Sequence, residues 1–181
     1  FKKNVSDVLE ANGLASGLHT YSFYMRYDCP LLADEKWQKD LGILETFTLA
    51  EDIDETADYL PTLESTDDVS TNFTFFQRNT PLLLLGNEVV QFTETKDGFK
   101  LSARGCAGSK AVAHKKGEAI KHIEGYYHGA TPILGSDLFL EIARLTAIAF
   151  NEGGFSQIYL DALDGLIMHC DAKNEAWYYW A

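Results

Sequence analysis

Two aspartates, Asp161 and Asp164, follow a run of β-favouring residues near the end of the sequence. The run, residues 155–160, predicts a buried strand, and functional side chains of an α/β sheet gather where its strands end. Because Asp164 lies three residues on, the two carboxylates can approach within the roughly 5 to 10 Å of a glycosidase pair, the nearer value favouring retention. Both are therefore candidate catalytic residues, one ionised and the other protonated by burial. The alternative is that Asp164-Gly165 forms a tight turn and Asp161 caps the next segment.

Three further side chains are candidates for substrate binding. His19 lies inside an apolar run, where an imidazole must be hydrogen-bonded or face a polar cavity. Together with Tyr21, His19 could contact a sugar hydroxyl or carry a proton. A structural role in the core, with its ring nitrogens hydrogen-bonded, explains the position of His19 equally well. Trp177 begins a row of four aromatic residues. Such rings suit stacking on a pyranose, and they also suit packing against the rest of a larger domain.

Composition excludes several other classes of function. The formal charge of −12 would repel a phosphate backbone, so we expect no nucleic-acid partner. The longest apolar run, residues 81–85, is far shorter than a bilayer span, so no membrane partner is expected. The five histidines lack HxH or HExxH spacing and the three cysteines lack a CxxC pair. We therefore predict no metal site and no cofactor.

The elements that must position these candidates form two helix–strand units, one at each end of the chain. Residues 1–12 show the apolar spacing of a helix, and residues 18–25 are apolar enough for a buried strand. Near the other end, Ser136 and Asp137 can begin a helix that stops at Gly153-Gly154, before the strand at 155–160.

The interval between these units is too long to be a simple connection. It spans roughly 110 residues, whereas a crossover between parallel strands needs on the order of a dozen. We predict an inserted small antiparallel β domain at 46–124, in which Glu88 and Arg104 pair across adjacent strands and His114 is structural. Its predicted strands, separated by turn residues, are 57–60, 72–76, 82–85, 88–93 and 99–102.

The inserted domain carries a recognisable pattern. It opens with Thr46-Phe47-Thr48-Leu49-Ala50, continues through Glu88-Val89 and reaches Arg104-Gly105-Cys106-Ala107-Gly108-Ser109, followed by His114 and Gly117. This pattern resembles a β module found in phage tail and baseplate proteins, which has a "TLA" opening and an "RG..GT....H..G" motif. Ser109 stands here where that module has threonine. The resemblance covers about 75 residues and implies a binding or assembly role.

The two flanks together resemble a group of uncharacterised bacterial glycoside-hydrolase-like proteins with a TIM-barrel domain. The matching motifs are residues 17–21, 150–155 and 159–165, and the group carries a β module in the same place. The resemblance implies barrel strands with His19, Asn151, Glu152 and Asp161 in the matching motifs. Since a whole barrel needs about 200 residues, we expect an α+β chain: a fragment of an α/β, TIM-barrel-like domain (1–45 and 125–181) with the inserted antiparallel β domain.

Two functions follow as hypotheses. In the first, the chain is part of a carbohydrate-active protein and acts as a glycoside hydrolase, with Asp161 as nucleophile or base, Asp164 as second carboxylate and His19 positioning the substrate. Such a protein fits a periplasmic or extracellular setting, but the sequence itself indicates neither compartment nor oligomeric state. In the second, the β domain is a non-catalytic binding or assembly module. A resemblance in fold does not by itself establish either of these two functions.

Overall fold

The computed structural model describes residues 2–74 and 76–163. The chain divides into two compact units, one made of Phe1–Phe23 with Leu134–Ala181 and the other of Tyr24–Ile133. The elements, in chain order, are α1 (Lys2–Ala11), β1 (Gly17–Thr20), two short 3₁₀ turns (Pro30–Leu32 and Gln38–Asp40), β2 (Ile43–Thr48), β3 (Tyr59–Pro61), β4 (Leu82–Leu85), β5 (Glu88–Thr95), β6 (Gly98–Cys106), β7 (Ala119–Ile123), β8 (Gly125–Tyr126), β9 (Gly129–Ala130), α2 (Asp137–Gly153) and β10 (Gln157–Leu160).

The first unit contains the parallel pair of β1 and β10, and the two helices, which contact each other. The hydroxyl of Ser136 caps α2 by accepting the N–H of Phe139 at 3.3 Å, and Gly154 ends the helix in the left-handed conformation, with φ +64°. Phe139 is buried and contacts the ring of Phe23, with centroids 5.6 Å apart. No helix in the described part of the chain is long and apolar enough to span a membrane.

The prediction of a TIM-barrel fragment is wrong. Over residues 2–74 and 76–163 the chain is mostly β, with two helices and an antiparallel six-stranded sheet, and no parallel barrel closes there. Among the described residues, β1 and β10 pair in parallel only with each other, whereas each strand of a parallel barrel pairs on both edges. The helix–strand pattern correctly indicated one parallel pair, but it does not specify how many strands join it.

The second unit is built on the six-stranded sheet, in the order β2-β7-β4-β5-β6-β3. All its neighbours are antiparallel. The two outer strands approach each other at one end, where the N–H of Ala50 donates to the carbonyl of Pro61 and that of Leu63 to Thr48, both at 2.9 Å. The sheet therefore curls around its core. The core residues are Phe47, Leu49, Leu60, Val69, Leu83, Leu85, Val90, Phe92, Phe99, Leu101 and Ile120.

Some predicted strands agree with this sheet and others do not. The strand at 82–85 is confirmed, and those at 88–93 and 99–102 are parts of β5 and β6. Residues 72–74 form no strand, and residues 21–24 turn away after β1. Strands β2 and β7 were not predicted, because neither forms a continuous apolar run. In β2 Phe47 is the one buried residue, and β7 mixes buried with partly exposed positions.

Phe99 tests where the core lies. Its ring is fully buried, with the rings of Phe47 and Phe92 at centroid distances of 5.0 Å. We expect Phe99→Ala to lower the free energy of unfolding by about 3–5 kcal/mol, because it removes a buried ring and leaves a cavity. The same substitution at Phe76, which is 72% exposed, should cost far less. Urea denaturation of both variants measures the difference, and equal losses would contradict the assignment.

Candidate functional site

The exposed face of the β1–β10 pair gathers polar and aromatic side chains. The parallel register places Gly17 beside Gln157 and His19 beside Tyr159. Since alternate residues of a strand share a face, these four lie on one side, and all four are exposed. Tyr21 and Asp161 continue the two rows beyond the strand ends. We call this set, Gly17, His19, Tyr21, Gln157, Tyr159 and Asp161, the strand face.

His19 and Asp161 are joined at the carboxyl end of the pair. The Nε2 of His19 lies 3.0 Å from Oδ2 of Asp161, and the two side chains are 56% and 35% exposed. The other carboxylate oxygen, Oδ1, accepts the backbone N–H of Ala162 at 2.8 Å and the hydroxyl of Tyr159 at 3.4 Å. Both oxygens of Asp161 therefore have partners, and the imidazole is held at one nitrogen.

The backbone around Asp161 is also fixed. Its N–H donates to the carbonyl of Thr20 at 2.9 Å, which extends the parallel pairing by one residue. Its carbonyl accepts the hydroxyl of Ser22, a buried side chain, at 2.7 Å. Ser22 and Ala162 both have left-handed backbones, with φ of +49° and +62°. Such conformations are costly for residues other than glycine, and they turn both chains immediately after the strands.

These contacts favour the ionised form of Asp161. The hydrogen bond from His19, followed by that from the N–H of Ala162, lowers the pKa of its carboxyl below the ordinary value of 3.8. Asp161 is therefore ionised at neutral pH and accepts hydrogen bonds without donating any.

Two tyrosine rings flank the imidazole. The ring centroid of Tyr159 lies 5.0 Å from that of His19, and the ring of Tyr21 lies 5.7 Å from it. Both tyrosines are exposed. A groove of about 460 Å³ runs along the same strands, lined by Gly17, Leu18, His19, Gln157, Ile158 and Tyr159. A ligand in this groove would meet aromatic surface and polar groups together.

The structure brings together three of the five residues predicted for the site: Asp161, His19 and Tyr21. The other two, Asp164 and Trp177, lie outside the described residues. The sequence analysis missed Tyr159 and Gln157. Their signal was the alternation of Gln157, Tyr159 and Asp161 at every second position, which places all three on the face that carries His19.

A second polar cluster lies in the other unit, around the buried carboxylate of Glu88. Arg104 donates to it from two nitrogens, at 2.6 and 2.7 Å, in the bidentate arrangement that suits a guanidinium. His114 places Nε2 3.0 Å from Glu88 and Nδ1 2.8 Å from Glu118. We call Glu88, Arg104, His114 and Glu118 the Glu88 network. It contains the predicted pair of Glu88 and Arg104.

Backbone groups complete the Glu88 network. The N–H groups of Gly105 and Val112 donate to Glu88 at 3.0 and 3.2 Å. Arg104 in turn donates to the carbonyls of Asp54, Ala57 and Val112. Burial of Glu88 opposes its ionisation, but the hydrogen bonds from Arg104, His114 and the two N–H groups outweigh it and lower the pKa of this carboxyl. Apart from Glu118, whose side chain is 38% exposed, the network is buried, and its polar groups are hydrogen-bonded to one another and to the backbone, as expected of a structural site.

Neither cluster is a metal site. Within residues 2–74 and 76–163, no group of three or more His, Cys, Asp or Glu side chains could hold a metal ion. In the Glu88 network the side chain of Glu88 is fully buried and that of His114 is 5% exposed, so Glu118 is the member that reaches the surface. The strand face, by contrast, exposes a histidine, an aspartate and two tyrosine rings side by side.

Replacing Glu88 tests the structural role of its network. Glu88→Gln removes the charge and leaves the guanidinium of Arg104, which is 10% exposed, without its counter-ion. We expect the free energy of unfolding to fall by about 3–5 kcal/mol. Glu94→Gln is the matched control, because Glu94 lies on the same strand and is exposed. A loss no larger than that of the control, measured by urea denaturation, would contradict the structural role.

The pH dependence of stability provides an independent test. Because the pKa of Glu88 is lowered by folding, its contribution is complete above the ordinary glutamate value of 4.5 and is lost as the pH falls through the lowered one. The difference in unfolding free energy between the native chain and Glu88→Gln should thus be constant near neutrality and shrink in acid. Denaturation midpoints across this range measure it. A difference that grows in acid would show that the assigned sign is wrong.

No protein-family model, curated protein or solved structure matches this chain. The resemblances to the phage-tail module and to the bacterial glycoside-hydrolase-like group therefore stay predictions. The geometry of the strand face and of the Glu88 network is what supports a function.

Proposed function

We propose that this chain is part of a carbohydrate-active protein and that the strand face binds the sugar. The observation that carries the proposal is the exposed His19–Asp161 pair between the rings of Tyr21 and Tyr159. This pair lies at the carboxyl end of the parallel strands β1 and β10, where ligands bind in α/β sheets.

The chemistry of the strand face suits a sugar ring. A pyranose has apolar faces and a rim of hydroxyl groups, so it needs a flat apolar partner together with hydrogen-bonding groups. The exposed rings of Tyr21 and Tyr159 offer the first, since a tyrosine combines a flat apolar body with a polar tip. The Asp161 carboxylate, the His19 imidazole and the Gln157 amide offer the second.

Charge supports the same class of ligand. With a net charge of −12, the chain would repel polyanions such as nucleic acids, and the ionised Asp161 adds a negative charge at the site itself. A neutral sugar is not repelled. Its hydroxyl groups can donate to Asp161, and a hydrogen bond to a charged acceptor is stronger than a neutral one.

Glycosidic hydrolysis is the more specific form of the proposal. It needs two carboxyl groups, one of them protonated to donate to the leaving oxygen. The lowered pKa of Asp161 suits the ionised partner of such a pair. Asp164 is the second carboxyl group proposed from the sequence and lies outside the described residues. Binding of the sugar is the part that the strand face supports directly.

A glycan array probed with the full chain, followed by calorimetry on the best ligand, tests the binding. Asp161→Asn should weaken binding tenfold or more, because a hydrogen bond to a charged group is lost. Tyr159→Ala should also weaken it, whereas Tyr159→Phe keeps the ring and should retain most of the affinity. Asp68→Asn, an exposed aspartate of the other unit, is the matched control.

The outcomes separate the two candidate functions. Binding that is lost in Asp161→Asn and Tyr159→Ala but kept in Asp68→Asn supports the strand face. Binding that survives both of the first two variants would assign it to the unit of Tyr24–Ile133, as the binding-module hypothesis expects. A chain that binds no glycan on the array contradicts the proposal.

A further inference from the structure

We infer that His19 and Asp161 form a proton-transfer pair in which Nδ1 of His19 takes a proton from water, so that the strand face hydrolyses esters, such as acyl groups carried on a sugar. This inference rests on the proposed sugar-binding face and deepens it by naming an ester, rather than a glycosidic bond, as the bond that is cleaved. It also changes the roles expected from the sequence, since His19 becomes the reacting base and Asp161 its positioning residue.

The contact with Asp161 decides which nitrogen of the His19 ring carries the proton. Nε2 of His19 lies 3.0 Å from Oδ2 of Asp161. An ionised carboxylate can only accept a hydrogen bond, and the lowered pKa of Asp161 keeps it ionised at neutral pH. Nε2 must therefore donate. In the neutral imidazole this leaves Nδ1 without a proton and able to act as a base.

The surroundings of Nδ1 of His19 leave it open to a water molecule or a ligand. Among the described residues, the contact with Asp161 is the sole hydrogen bond of His19, so Nδ1 has no protein partner there. The side chain is 56% exposed, and the groove of about 460 Å³ is lined by the same residue. A water or a ligand in the groove is thus the natural partner of Nδ1.

The orientation of the His19 imidazole is fixed by the groups around it. A base is effective when a third group holds it in place, as an acid–base pair requires. Asp161 is held at Oδ1 by Ala162 and Tyr159, at its carbonyl by Ser22, and at its N–H by Thr20. The flanking rings of Tyr21 and Tyr159 further restrict the imidazole. The pair is therefore built before any ligand arrives.

The reaction balances with water as the only co-reactant. The water oxygen bonds to the ester carbonyl carbon while its proton passes to Nδ1 of His19, and Asp161 stabilises the imidazolium without taking a proton. When the tetrahedral intermediate collapses, the bond from carbon to the alcohol oxygen breaks, and that oxygen takes the proton back from Nδ1. The products are a carboxylic acid and an alcohol, and the neutral imidazole is restored.

An ester fits this pair better than a glycosidic bond. Cleavage of an acetal needs a separate acid to protonate the leaving oxygen. Asp161 cannot supply it, because its pKa is lowered and it is ionised, so glycosidic cleavage would depend on Asp164 as the acid. In ester hydrolysis the imidazolium formed in the first step is itself the acid of the second, so one histidine and one orienting carboxylate suffice.

Nitrogen NMR tests the proton position without any substrate. In the uniformly ¹⁵N-labelled chain, the signals of His19 should show the Nε2–H tautomer at a pH where the ring is neutral. Asp161→Asn should allow both tautomers, because an amide can donate as well as accept. A native ring protonated at Nδ1 would overturn the inference, whatever the chain binds.

Hydrolysis of p-nitrophenyl acetate and of an O-acetylated sugar tests the activity. His19→Gln should lower turnover on the order of 100-fold, which is the contribution of a general base. The rise of turnover with pH that a general base produces should also disappear in this variant. With p-nitrophenyl acetate, Asp161→Asn should lower turnover while leaving KM nearly unchanged. With the O-acetylated sugar, KM should rise as well, because Asp161 also accepts hydrogen bonds from the sugar. His128→Gln, an exposed histidine of the other unit, is the control.

These experiments distinguish failure of the ester-hydrolysis inference from failure of the proposed sugar binding. No turnover by the native chain, or equal turnover by His19→Gln, overturns the inference. If glycan binding nevertheless depends on Asp161, the carbohydrate site stands without ester hydrolysis. If the sugar does not bind but the simple ester is cleaved through His19, the proton-transfer pair stands and the sugar assignment fails.

Discussion

The unit of Tyr24–Ile133 depends on one buried anion, the carboxylate of Glu88. A charge without solvent or a partner in that position would be strongly destabilising. Its donors come from β6 through Arg104, from the N–H groups of Gly105 and Val112, and from the His114 ring. These contacts connect β5 not only to its neighbouring strand but also to the chain between β6 and β7, which contributes no strand to the sheet. The hydrogen bonds to the Glu88 carboxylate therefore also hold the long connection between β6 and β7 in place.

This constraint explains the spacing that resembles the phage-tail module. Glu88, Arg104 and His114 belong to the network, and Ser109 accepts the N–H of Val89 at 3.0 Å while donating to the carbonyl of Cys106. Gly117, with φ +91°, takes a backbone conformation that favours glycine. The motif residues thus serve the fold. Because their polar atoms are engaged with one another, they are poorly placed to act on a ligand, and the candidate chemistry falls to the strand face.

The sequence predicted those parts of the fold whose signals are local. Leu82–Leu85 is a continuous apolar run ended by Gly86-Asn87, and it forms β4 as expected. The capped helix beginning at Asp137 also forms, because its cap and its apolar stripe lie within a few turns. The barrel prediction failed at a non-local step. Whether a parallel pair recruits further strands depends on hydrogen bonds between distant segments, and neither the pattern of residues 17–20 nor that of 157–160 records them.

In the candidate site, too, the sequence predicted where a residue lies but not what it does. Asp161 was found from its place after a strand, a local feature, and the structure pairs it with His19, which lies 142 residues away in the sequence. That pairing changes the chemistry: a carboxylate with both oxygens engaged is a better orienting group than a nucleophile, whereas an imidazole held at one nitrogen has the other available. Residue type alone suggested a reacting aspartate assisted by a histidine. Because the hydrogen bond assigns the proton to Nε2, the geometry favours the reverse, with histidine as the reacting group and aspartate as its support.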